Sequence, residues 1–197
     1  MATLIKKLTS YVKRRNFGKT TEPEPKTRVQ RTKKPLFVIQ EHHASHLHWD
    51  LRLEINGVLK SWAVPKGPSI NPNEKRLAIL TEDHPLEYAH FEGTIPEGLY
   101  GAGTVMVWDI GTYINEKTIP MDQCFDEGRI EITAKGKKLL GTFALIRLKS
   151  SGENWIFFKI NDAFAHTGTP ITKTHNKSAL TGRTVVQIAQ EVKKSHE

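Results

Sequence analysis

The chain has one cysteine in 197 residues, Cys124. It can therefore form no internal disulfide and no Cys-rich zinc site, and any metal it binds must be held by histidine and carboxylate side chains. It lacks an apolar run long enough to span a bilayer and an N-terminal stretch built like a secretion signal. These absences lead to the expectation of a soluble, cytoplasmic protein with no membrane contact. There is no internal repeat and no low-complexity segment. Nucleotide-binding signatures are missing as well. Gly98-Leu99-Tyr100-Gly101-Ala102-Gly103 is glycine-rich but leads toward a strand and not a helix. Lys66, in Pro65-Lys66-Gly67, is not followed by the pattern of a nucleotidyl-transfer lysine, and no Ser/His/Asp triad spacing occurs.

Charge is present but unevenly spread. The formal net charge is +8, yet residues 1–34 carry 11 Lys/Arg and two acidic residues, while residues 35–197 carry 18 and 19. The positive charge is an N-terminal arm, the kind of segment that attracts a polyanion, most commonly nucleic acid, or that serves only as a solubilising extension. Leu4, Ile5, Leu8, Tyr11 and Val12 recur at helical spacing, predicting a short amphipathic helix over Thr3–Arg15. A basic connector with Pro23, Pro25 and Pro35 follows.

From Leu36 the texture becomes β. Strands are expected at Leu36–Gln40, Leu47–Ile55, Val58–Val64, Arg76–Thr81, Thr104–Trp108, Gly128–Ala134, Gly141–Leu148 and Trp155–Ile160, with a helix at Ala179–Val192. Asn56-Gly57 is a strong hairpin signal, because both central residues of that turn need positive φ. Short strands at turn-separated spacing predict a mainly β protein, a compact antiparallel β-barrel with short flanking helices. The expected division is a basic helix and arm over 1–35, a barrel over 36–165, and a tail with a short helix over 166–197.

His42, His43, His46 and His48 place four of nine histidines within seven residues. The run then enters strict alternation, in which Leu47, Trp49, Leu51 and Leu53 should face a core while His46, His48, Asp50, Arg52 and Glu54 share the other face. Two imidazoles and a carboxylate suit a transition metal such as Mn, Fe or Zn, and an adjacent arginine suits a phosphate or carboxylate held against it. The bland alternative is a solvated strand face. His42 is the natural third ligand to His48 and Asp50, with His43 and His46 competing for the place. Such a set leaves positions open for water and a substrate oxygen, as metal-assisted hydrolysis requires. A second constellation, Arg76, Glu82-Asp83-His84 and Tyr88, offers an imidazole that contacts phosphate or gives a proton to a leaving group. Two other classes compete: a non-haem iron oxygenase using His48-Trp49-Asp50 with a distal histidine, His166 or His175, and a non-catalytic nucleic-acid-binding β-barrel.

The stretch Phe37–Glu54, then Gly57–Pro68, Glu82–Tyr88, Phe91–Gly98 and Tyr100–Val105, resembles the phosphoesterase module of bacterial ligase D, the end-joining DNA ligase, and its free-standing relatives. The likeness runs from Arg15 to Gly182-Arg183-Thr184. It implies a small β-barrel with a Mn2+-dependent activity at 3′ ends, Zn2+ or Co2+ being alternatives. That activity removes a terminal 3′-ribonucleoside to leave a 3′-phosphate, then removes the phosphate. On this resemblance His42, His48 and Asp50 are metal ligands, and Arg52 and His84 contact the scissile phosphate with Tyr88 beside them. Gln40, Lys66, Arg76 and Glu82 match supporting positions. Arg15 and Glu22 belong to an arm segment in which the position of Asn16 is usually Asp. The implied partners are DNA or RNA-terminated DNA 3′ ends, and a separate DNA ligase with other end-joining proteins, since 197 residues leave no room for ligase or polymerase modules. A monomer is expected.

Overall fold

Asn56 and Gly57 adopt φ of 51° and 81°, so the two-residue turn joins β2 (Leu47–Ile55) to β3 (Val58–Val64) with Ile55 opposite Val58. That register carries Arg52 opposite Ser61 and Asp50 opposite Ala63. The preceding hairpin pairs β1 (Leu36–His43) with β2, setting His42 opposite His48 and Gln40 opposite Asp50. The computed structural model describes residues 6–26 and 34–194.

The remaining strands are β4 (Arg76–Leu80), β5 (Gly93–Ile95), β6 (Gly103–Asn115), β7 (Arg129–Gly136), β8 (Leu140–Arg147) and β9 (Asn154–Lys159). They follow the order β1-β2-β3-β4-β9-β8-β7-β6, every pairing antiparallel, and β6 pairs back onto β1 to close an eight-stranded barrel. β5 lies outside the ring on the first residues of β6. Closure removes the open edges that a flat sheet would expose. Short helices flank the barrel: α1 (Thr9–Lys13), α2 (Met121–Glu127), α3 (Ile171–Thr174), α4 (Val185–Lys194) and a 3-10 turn at Leu86–His90.

The strand alternation separates two apolar layers. Phe37, Ile39, Leu51, Leu53, Trp62, Trp108, Phe143 and Trp155 fill the barrel interior. Fully burying side chains of this size contributes about 1.5–3 kcal/mol each. Val38, Leu59 and Val107 on the outer wall form a second layer with Tyr11 of α1, Tyr88 of the 3-10 turn and Phe91. The outer face of β2 is thus not a solvated face: Asp50, Arg52 and Glu54 are all buried.

Several expectations shift. Leu47 is exposed instead of facing the core, at the first position of β2 beside the hairpin turn. The strand expected at Thr104–Trp108 is the first part of a 13-residue strand, long because it pairs with β5, β1 and β7 in succession. The helix expected at Ala179–Val192 begins only at Val185, since Gly182 takes φ 72° and Ser178 N–H donates to the Arg183 carbonyl to make a turn first. The helix expected over Thr3–Arg15 is helical at Lys6 and Lys7 and again over Thr9–Lys13, with a turn at Leu8. Residues 3–5 of that expectation, and residues 27–33 of the basic connector, lie outside the described residues.

Candidate metal centre and phosphate pocket

Strand pairing brings the ligand types together. His42 and His48 face each other across β1 and β2 with ring centroids 4.7 Å apart. Asp50 follows two residues along the same face, its carboxylate 3.9 Å from His42 Nδ1 and 3.8 Å from His48 Nε2. One donor atom from each of the three lies within 4.8 Å of the others. The opposite nitrogens are occupied: His48 Nδ1 lies 3.0 Å from the His46 carbonyl and His42 Nε2 lies 3.0 Å from the Gly101 carbonyl. A carbonyl can only accept, so each of those nitrogens carries the proton, and the lone pairs of His48 Nε2 and His42 Nδ1 point toward Asp50. This is the arrangement by which backbone partners fix histidine tautomers for a metal. Burial pushes the His42 pKa down to about 4, against the raising effect of Asp50, so the ring is neutral as a ligand must be. The donor set fits a divalent transition metal. His43 is turned to the other face, 2.6 Å from Glu41, and His46 is exposed in the hairpin turn, so neither competes.

Arg52 continues the row. Its Nε donates to Gln40 Oε1 (2.6 Å), Nη1 to Ser61 Oγ (2.8 Å), and Nη2 to Asp50 Oδ2 (3.0 Å), while Nη1 also lies 2.9 Å from His84 Nδ1. Its guanidinium packs 4.8 Å from the Tyr88 ring centroid. Gln40 in turn donates from Nε2 to the Tyr88 and Phe91 carbonyls, both at 3.0 Å, tying the 3-10 turn to the wall. Burial, then the charges of Arg52 and Arg15, hold the His84 pKa well below its usual value, so this imidazole is neutral at physiological pH.

The arm closes the other side. Arg15 has a side chain only 4% exposed; its Nε donates to Glu22 Oε1 at 3.0 Å, its Nη1 pairs with Glu82, and its guanidinium sits 3.8 Å over the Tyr11 ring. Tyr88 Oη donates to Glu22 Oε1 at 3.1 Å, and burial raises its pKa, keeping it a hydrogen-bond donor. Between arm and wall lies a pocket of about 270 Å³ whose lining includes His42, His48, Asp50, Arg52, His84 and Arg15.

Thus His42, His48, Asp50, Arg52, His84, Tyr88, Arg15, Glu22 and Glu82 line one pocket, with Gln40 bonded just behind it. Lys66 and Arg76 are not brought there. Lys66 is exposed on the turn after β3, and Arg76 opens β4 paired with Glu74. Sequence reading missed Ser61, Tyr11, Gly101 and Tyr100. Ser61 was within reach, because the Asn56-Gly57 turn fixes the register that sets it opposite Arg52. The other three come from segments distant in sequence and carry no local signal. The distal histidine wanted by an oxygenase does not join the group; among the described residues the third ligand is His42, from the neighbouring strand.

Fold and site together define a class: a small closed β-barrel with a His-His-Asp metal-type centre on its outer wall, flanked by buried arginines and a neutral imidazole. The chain belongs to the DNA Ligase D 3′-phosphoesterase domain family, whose model matches residues 40–147. It is 42% identical over 189 residues to the multifunctional non-homologous end joining protein LigD of Pseudomonas aeruginosa, covering 92% of this chain and 22% of that protein. It is 47% identical over 165 residues to the protein of the same description from Mycolicibacterium smegmatis, covering 82% and 21%. With the multifunctional non-homologous end joining DNA repair protein LigD of Mycobacterium tuberculosis it shares 45% over 161 residues, again 82% and 21%. The chain therefore spans about a fifth of the length of these relatives. Among the described residues, no helix is long and apolar enough to cross a membrane.

Proposed function

We propose that the protein is a metal-dependent phosphoesterase that heals DNA 3′ ends during end-joining repair, with Mn2+ as the cofactor and Zn2+ or Co2+ as alternatives. It hydrolyses the terminal phosphodiester of an RNA-terminated strand, releasing the ribonucleoside, and then hydrolyses the remaining 3′-phosphate. The observation that carries this reading is the convergence of His42, His48 and Asp50 with Arg52 and His84 in one pocket. A divalent cation held by the three ligands supplies Lewis-acid chemistry. Arg52 offers a fixed positive charge to the phosphoryl oxygens, and its four side-chain partners prevent it from moving as charge develops. His84, neutral between two arginines, accepts or donates a hydrogen bond at the phosphate. Arg15 and Glu22 hold the arm over the pocket, and Tyr88 and Glu82 position them. Lys66 and Arg76, outside the pocket, would serve only a strand that extends beyond it. Substrate binding to the basic arm is salt-dependent and indifferent to sequence.

The test is a 5′-labelled primer–template ending in one ribonucleotide, incubated with Mn2+, with His48→Ala as control. Conversion to a 3′-phosphate and then to a 3′-hydroxyl is expected for the unaltered protein alone. Failure to process either a ribonucleotide or a 3′-phosphate end would overturn the proposal and favour a non-catalytic nucleic-acid-binding barrel.

A further inference from the structure

Two tyrosines line the pocket, and they are placed in opposite ways. Tyr88 is buried, whereas Tyr100 is 48% exposed at the mouth, on the loop between β5 and β6. Tyr100 is nevertheless held firmly. Its Oη accepts from Arg14 Nη1 at 2.7 Å, the Arg14 guanidinium lies 4.7 Å from its ring centroid, and that of Arg15 lies 5.5 Å away. Cations stacked against an aromatic ring stabilise its orientation, and a tyrosine has few side-chain torsions to lose on binding. The ring is also close to the chemistry, because the next residue, Gly101, supplies the carbonyl that orients His42. An exposed, immobilised aromatic ring beside two arginines and one residue from a metal ligand's partner matches a nucleotide: phosphate toward the centre, base against the ring.

We propose that Tyr100, backed by Arg14, is the stacking platform for the base of the nucleotide that carries the reacting 3′ phosphate. This rests on the reading of the pocket as a 3′-end phosphoesterase site. Stacking uses the face that every base possesses, so the platform grips any 3′ end without reading its sequence. It also separates a polynucleotide end from a small phosphate ester, which reaches the arginines but leaves the ring uncovered.

The test measures equilibrium binding of fluorescent oligonucleotides ending in a 3′-phosphate, with the last nucleotide either complete or abasic. The proteins are the unaltered chain, Tyr100→Ala and Tyr100→Phe. Removing the base should weaken binding to the unaltered chain and to Tyr100→Phe about tenfold; Tyr100→Ala should bind the complete end about tenfold more weakly and lose nothing further when the base is removed. Equal base penalties in the unaltered chain and Tyr100→Ala, or no binding of either oligonucleotide to the unaltered chain, would overturn the platform. Turnover of the complete end is scored separately. Binding in the expected pattern without hydrolysis refutes the esterase reading and supports the platform; hydrolysis with equal penalties does the reverse.

Discussion

Replacing Arg52 by lysine keeps the charge and removes the fork. Arg52 bonds Gln40, Ser61 and Asp50 from three different nitrogens and lies against His84, in a setting where it is only 2% exposed. An ammonium group donates from a single point, so lysine can satisfy one or two of those partners and strands the rest. Each buried polar group left without a partner costs about 1–2 kcal/mol, giving roughly 2–4 kcal/mol for the two that lose contact. For a chain of this size about 1 kcal/mol corresponds to a fall of roughly 2–4 °C, so Arg52→Lys should melt about 4–16 °C lower. Asp50 also loses the bond that orients its Oδ2, so Mn2+ affinity should drop about 10-fold or more. Thermal unfolding monitored by near-UV circular dichroism, with metal titration by calorimetry, checks both. A variant that melts with the unaltered protein and binds Mn2+ equally well would show that the fork is not what holds the row together.

Added Mn2+ should raise the melting temperature of the unaltered protein, by an amount corresponding to about 2.7 kcal/mol at a hundredfold excess over the dissociation constant, and leave Asp50→Asn unmoved; equal shifts in both would place the metal elsewhere. In metal-free protein, burial brings His42 down to about 4 and holds His84 well below the usual 6.5 of the unfolded chain. The unfolded state therefore binds more protons below pH 6.5. Stability contributed by the neutral rings is complete above that pH and is lost as pH falls toward 4, with a shallower decline expected for His42→Asn in melts between pH 7.5 and 4.5. Gly103 has φ 137°, and a Cβ there would lie 2.3 Å from the His43 carbonyl oxygen, part of β1 itself. Gly103→Ala should push β1 and β6 apart beside His42, costing about 1–3 kcal/mol in denaturant unfolding and weakening metal binding, whereas the same change at the open Gly152 should do neither.

The sequence by itself determined the parts whose physics is local. Alternation along Leu47–Ile55 put His48, Asp50 and Arg52 on one face, and Asn56-Gly57 fixed the turn that sets Ser61 opposite Arg52. One cysteine and a row of imidazoles limit any metal centre to histidine and carboxylate ligands. Hydrophobic side chains also marked the inner face, Trp49, Leu51 and Leu53; what sequence could not decide was that the opposite, polar face would itself be covered. The tertiary structure put the site on the outer wall and then buried it, using Tyr11, Arg15 and Glu22 from the arm and His84 and Tyr88 from the segment after β4. It also chose His42 over His43 and His46 by cross-strand register. Arg76 and Lys66 were left outside, since a strand's position along the barrel depends on pairing partners far away in the chain. Local periodicity assigns a side chain its direction; only long-range pairing and the closing arm assign it its neighbours.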